Sequence, residues 1–155
     1  MFYLGLVDML AIFVSCLLTG YFMLEGQAFC VDPPFNHFFG SLALFCWTTS
    51  CMTCVLLVTN RLISLCRSQS ATEVGSSWCI LTIPTLYGLC FGLFTPPVVF
   101  NAKNGAWFFD PFIGIDGFVY VNLTHSTNNA VVVLITPALY IAVCAIVFSQ
   151  MSVSS

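Results

Sequence analysis

Four apolar runs dominate the chain, at approximately residues 2–23, 39–60, 77–99 and 129–149. Crossing about 30 Å of hydrocarbon takes roughly 20 helical residues at about 1.5 Å each, and every run reaches that length. Between them lie EGQAFCVDPPFNHF, RLISLCRSQSATEVGS and NAKNGAWFFDPFIGIDGFVYVNLTHSTN, whose Pro, Gly, Asn, Ser and charged residues read as loops. No repeat of fixed period and no low-complexity tract interrupts the pattern. It predicts an all-α fold: a polytopic transmembrane bundle of four helices forming a single domain over residues 1–155.

Composition removes the water-soluble alternative. Of the 155 residues 59% are hydrophobic and 6% charged, with a mean hydropathy of +1.01. A soluble domain needs far more charge to cover its surface, whereas a lipid-facing bundle does not. The nine cysteines lie mostly within the apolar runs, where a thiol behaves as a small hydrophobe rather than part of a disulfide framework. The first run contains MLAIFVSCLLTG, which resembles the apolar stretch of a secretory signal. It has no basic segment before it, carries Asp8, and offers no small-x-small cleavage site, so a membrane helix is expected.

Orientation follows from the basic residues, because short loops rich in Lys and Arg stay in the cytoplasm. Arg61 and Arg67 both fall in the middle loop, and Lys103 alone opposes them. The middle loop and both termini are therefore expected inside and the other two loops outside. Asn122-Leu-Thr124 is a glycosylation sequon in an outer loop, the side on which Asn122 would be modified.

Polar residues within the runs are the candidates for function. Arg61 stands at the inner end of the second run beside Asn60, where a long stem lets the guanidinium reach water, so an interface anchor and a working site both remain open. Cys46, Ser50, Thr53, Leu57 and Asn60 recur on one helical face of mostly small or polar side chains, as expected of a buried central helix. Asp8 is the one acid inside an apolar run and a functional candidate on that ground. Only seven residues precede it, roughly 10 Å of helix, so a position near water is the competing reading. Gly88-x-x-x-Gly92 predicts close helix packing. Trp107, Phe108, Phe109 and Phe112 cluster in the third loop, as anchors at the membrane surface or as a lid over an outer pocket.

GYFMLEGQAFC at 20–30, GSLALFCW at 40–47, TNR at 59–61, PTLYGLCFGLFTPPVVFN at 84–101, GAWFFDP at 105–111 and HSTNN at 125–129 occur in this order. In this series the chain resembles the nematode serpentine chemoreceptors of class T, within the seven-helix G-protein-coupled receptor superfamily. The resemblance implies that the four segments correspond to helices two to five, and that Trp107, Phe108 and Phe109 lie in the second extracellular loop. It implies that Asn60 and Arg61 face a heterotrimeric G protein, with Asn60 in place of the usual acid and so unable to form a salt bridge. Asp8 resembles the aspartate of an intramembrane, activation-linked polar network, and Pro137 the fifth-helix proline associated with activation. The family's disulfide to the second extracellular loop has no partner for Cys30, because residues 101–128 contain no cysteine. The resemblance further implies an unknown small-molecule ligand, a plasma-membrane location, and a partial chain that does not signal alone.

No catalytic pairing or glycine-rich phosphate loop is visible, and no cofactor is expected. His37 and His125 are expected on separate outer loops, which makes a metal site unsupported. With three basic residues in all, a nucleic-acid partner is equally unsupported. The lipid bilayer remains as the certain environment. Besides a receptor, the alternatives are a four-helix structural or adaptor membrane protein and, with only Asp8 in its favour, a channel or transporter subunit.

Overall fold

A computed structural model describes residues 2–26, 31–66, 77–110 and 120–154. Cys30, Arg67 and Phe112 lie outside them. Helix α1 spans Phe2–Leu24 and is not uniform: Phe2–Ile12 and Thr19–Leu24 are α-helical, and Phe13–Leu18 between them is π-helical. The Thr19 hydroxyl donates to the Val14 carbonyl five residues back at 3.2 Å, which suits the wider turn.

Helix α2, Pro33–Cys66, has 34 residues and exceeds the expected 39–60 at both ends. Its start is set by Asp32, whose carboxylate accepts the Phe35 N–H at 3.2 Å. Prolines that looked like loop punctuation thus occupy first-turn positions, where a missing N–H costs nothing. The helix also continues past Asn60 and Arg61, so these residues are helical rather than at a helix-to-loop boundary. Helix α3, Ser77–Phe94, stops before the expected 99. Pro96 and Pro97 follow it, and they supply no helical N–H and restrict the residues before them.

Strands β1, Val99–Asn101, and β2, Ala106–Phe108, form an antiparallel hairpin in what was expected to be an irregular loop. Helix α4, Leu123–Ser154, begins before the expected 129 because Asn122 caps it, its Oδ1 accepting the His125 N–H at 2.9 Å. Among the described residues α1, α2 and α4 are long and apolar enough to cross a membrane, while the apolar helix Leu81–Phe94 within α3 is shorter.

Helix α2 is the centre of the bundle and packs against α1, α3, α4 and β1. Its predicted inner face is largely closed: Cys46 and Thr53 are buried, together with Thr48 and Thr49. Gly88 on α3 explains how closely the helices approach, since a Cβ there would fall on the Thr49 hydroxyl and the Phe45 carbonyl. Outward, Leu6, Leu17, Ile141 and Phe148 are exposed. Lipid accommodates such an apolar exterior where water would not.

Candidate functional site

The site is built from the hairpin downward. Val99 pairs with Phe108, Phe100 with Trp107 and Asn101 with Ala106. In the connecting turn, Asn101 Oδ1 accepts the N–H groups of Lys103 and Asn104 at 3.0 and 3.4 Å, and Gly105 takes φ 61°, a left-handed value that favours glycine. Two side chains fasten this hairpin to the helices. Asn36, 1% exposed, accepts the Phe100 N–H at 2.7 Å and donates to the Phe100 carbonyl at 3.4 Å, completing both backbone valences. Trp107 Nε1 donates to the Thr19 hydroxyl at 2.9 Å. The same hydroxyl donates to Val14, so the π-helical turn and the roof share one atom. Phe22 is fully buried at the centre, with ring centroids 5.4 Å from Phe100 and 5.7 Å from Trp107.

Beneath this roof is a cavity of about 430 Å³. Helix α1 contributes Ala11, Val14 and Ser15 to its wall, and α2 contributes Ala43, Leu44 and Trp47. Val98 and Trp107 close it from the hairpin side, and His125 from α4. Among the described residues the lining is apolar with a few polar groups and carries no formal charge, the usual character of a small-molecule site. Behind it runs a hydrogen-bonded chain that joins three helices. Trp47 Nε1 donates to Asn129 Oδ1 at 2.9 Å, and Asn129 Nδ2 meets His125 Nε2 at 2.9 Å. Asn128 Nδ2 donates to Asn129 Oδ1 at 3.3 Å, and the Tyr87 hydroxyl donates to Asn128 Oδ1 at 2.8 Å. A second hollow of about 410 Å³ adjoins Tyr87 and Asn128 on the other side of α4.

Of the aromatic trio expected in the outer loop, Trp107 lines the cavity, Phe109 lays its ring 4.9 Å from His125, and Phe108 belongs to the hairpin ladder. His37 and His125 stand in α2 and α4 rather than on loops. Among the described residues no group of three His, Cys, Asp or Glu side chains is placed to hold a metal. Asp8 accepts a hydrogen bond from Ser50 at 3.0 Å, close to the middle of α2. Its depth is therefore that of the bundle's middle, although few residues precede it. Asn60 is half-buried and Arg61 exposed near the opposite end of α2. From Trp47 to Arg61 is roughly 20 Å along the helix axis, so the structure does not bring the two regions together. Asn122 is 3% exposed, and its Nδ2 donates to the Pro96 carbonyl at 3.0 Å. The side-chain nitrogen that a glycan would occupy is thus buried and bonded, and the same side chain caps α4.

Sequence reasoning passed over Asn36, Trp47, Tyr87, Asn128 and Asn129. The HSTNN string was visible, but its spacing became meaningful only once 125 and 129 were known to occupy successive turns of one helix.

A family profile described as "Serpentine type 7TM GPCR chemoreceptor Srt" matches residues 1–155. The chain belongs to this chemoreceptor family. Serpentine receptor class T-55 of Caenorhabditis elegans is 25% identical over 162 residues, an alignment covering 100% of this chain and 44% of the relative. The chain thus spans less than half the length of the curated relative that it matches. No solved structure matches. Membership makes it a multi-pass membrane protein of a receptor family, which is not an enzyme class, and leaves the structural or adaptor alternative without support.

Proposed function

We propose that the cavity beneath the hairpin receives a small molecule from outside the cell, and that the far end of α2 presents Asn60 and Arg61 to a heterotrimeric G protein. In this reading the protein lies in the plasma membrane with both termini in the cytoplasm. The observation that carries it is the cavity roofed by the hairpin at the end of the bundle away from Arg61, uncharged among the described residues that line it. Arg61 and Arg67 supply the inside charge, which puts the hairpin outside. Asp8 and Ser50, at middle depth, would belong to the polar network between the two ends. Coupling and ligand response are assigned to the longer receptor architecture of the family. A chain limited to these residues, which spans 44% of its relative, is expected to give no ligand-dependent signal.

The test is chemical access. With Ala43→Cys in the cavity wall, a small neutral thiol reagent added to intact cells should modify the new cysteine faster than the unsubstituted chain reacts. Prior chemical filling of the cavity through Ser15→Cys should slow that reaction. Equal rates with and without Ala43→Cys would remove the outer cavity as a ligand site.

A further inference from the structure

Helices α3 and α4 both pack on α2, and two hydrogen bonds span the slot left between them. Asn122, capping α4, donates to the Pro96 carbonyl just past the end of α3 at 3.0 Å. One and a half turns deeper, the Tyr87 hydroxyl donates to Asn128 Oδ1 at 2.8 Å. The second hollow, of about 410 Å³, lies along this stretch. Helix α3 lines it with Tyr87 and Phe91, whose ring centroids are 4.9 Å apart, and α4 with Thr124, Thr127 and Val131. Thr124, Thr127 and Val131 line the hollow and are also exposed, so it opens outward from the bundle. Where the exterior is lipid, a molecule that enters from the side is one the bilayer dissolves.

The two threonines determine what that molecule must carry. A helical threonine in this chain usually donates to the carbonyl four residues back, as Thr48, Thr53 and Thr85 do. Thr127 does the same toward Leu123 at 2.8 Å, which leaves its oxygen free only to accept. Thr124 stands in the first turn of α4, where the residue four back precedes the helix, and its hydroxyl has no hydrogen-bond partner among the described residues. It is a free donor in a setting without water to satisfy it. Three positions apart, both threonines are on one helical face. A ligand hydroxyl answers both, accepting from Thr124 and donating to Thr127, whereas the ester and phosphate oxygens of a phospholipid only accept. We infer that this slot binds a sterol from the leaflet on the hairpin side, its hydroxyl between Thr124 and Thr127 and its fused rings against Phe91, Tyr87 and Val131. The Asn122 to Pro96 bond closes the slot above the threonines, which suits a head no larger than a hydroxyl. The site is separate from the cavity beneath the hairpin and does not depend on what that cavity binds.

The experiment uses the 155-residue chain, made by bacterial translation so that Asn122 carries no glycan, in phosphatidylcholine nanodiscs. The probe is cholesterol carrying a photoreactive diazirine in its ring system, with adducts mapped by peptide mass spectrometry. Labelling should concentrate in residues 84–94 and 123–131 and be competed by cholesterol. Cholesteryl methyl ether, which cannot donate to Thr127, should compete about fivefold less well, the value of one hydrogen bond. Thr124→Val keeps the side-chain shape, removes the donor and should weaken labelling by a similar factor. Val131→Trp should abolish it by filling the slot, while Leu134→Trp, at a position 73% exposed on the same helix, should leave it unchanged. The comparison of ether with alcohol needs no substitution and decides the matter should Val131→Trp fail to fold. Adducts spread evenly over outward residues such as Ile141 and Phe148, equal competition by ether and alcohol, or undiminished labelling of Thr124→Val would each overturn the inference. So would stronger labelling of the slot by phosphatidylcholine with a diazirine on its acyl chain that cholesterol does not displace.

Discussion

Asn36 and Asn122 show what a single amide can organise in a chain with few charges. Both are buried, and each satisfies two backbone groups at once, one fastening the hairpin and the other opening α4 and tying it to Pro96. In translation with microsomes, Asn122 is expected to remain unglycosylated, with no glycosidase-sensitive mass shift. Asn122→Ala should lower stability by about 1 kcal/mol for the lost cap, whereas Asn122→Asp should retain most of it, as read from reversible unfolding in mixed micelles. A glycan on Asn122 in folded protein would show that the cap does not form. Arg61 supports a different prediction. If it were only an anchor, Lys would serve equally, since both side chains reach the interface. Contact with a G protein through a planar, multi-donor guanidinium would not survive the exchange. In a full-length class T receptor containing these residues, Arg61→Lys should reach the surface normally and lose G-protein activation; full activation would return Arg61 to anchoring. The sequence made Arg61 and Asp8 conspicuous because charges are rare here. It hid Asn36 and Asn129, because an uncharged amide in an apolar run or at a loop edge carries no signal of its partner.

At the scale of elements, the apolar runs located the helices and misplaced many of their ends. Hydropathy ends where side chains become polar, whereas helices end where the backbone loses its hydrogen bonds. Asp32 and Asn122 therefore extend α2 and α4 backward into segments that read as loops, and Pro96-Pro97 cut α3 short. The π-helical turn at Phe13–Leu18 had no legible signature, since it depends on what α1 packs against, with Val14, Leu18 and Phe22 joining Phe100 in one cluster. The glycine pair on α3 was legible from sequence and occupies the packed face as expected. Gly88→Val should destabilise the bundle by about 1–3 kcal/mol through overpacking against Thr49 and Phe45, measured by the same unfolding assay, while the outward-facing Leu86→Val should have little effect.

For the whole molecule, family, membrane character and helical architecture were readable because lipid imposes a simple rule on composition and a family leaves ordered motifs. The cavity was not readable. Its walls come from residues more than 100 positions apart, Ala11 to His125, and its roof from a hairpin where the sequence suggested only a loop. The central claim is that this cavity is where an external molecule acts. The most direct measurement is the response of a full-length class T receptor containing these residues to a panel of small molecules, compared with Ala43→Trp, which fills the space between α1 and Trp107. The account predicts at least one concentration-dependent response in the unsubstituted receptor and its loss in Ala43→Trp at equal surface abundance. An undiminished response in Ala43→Trp would contradict it.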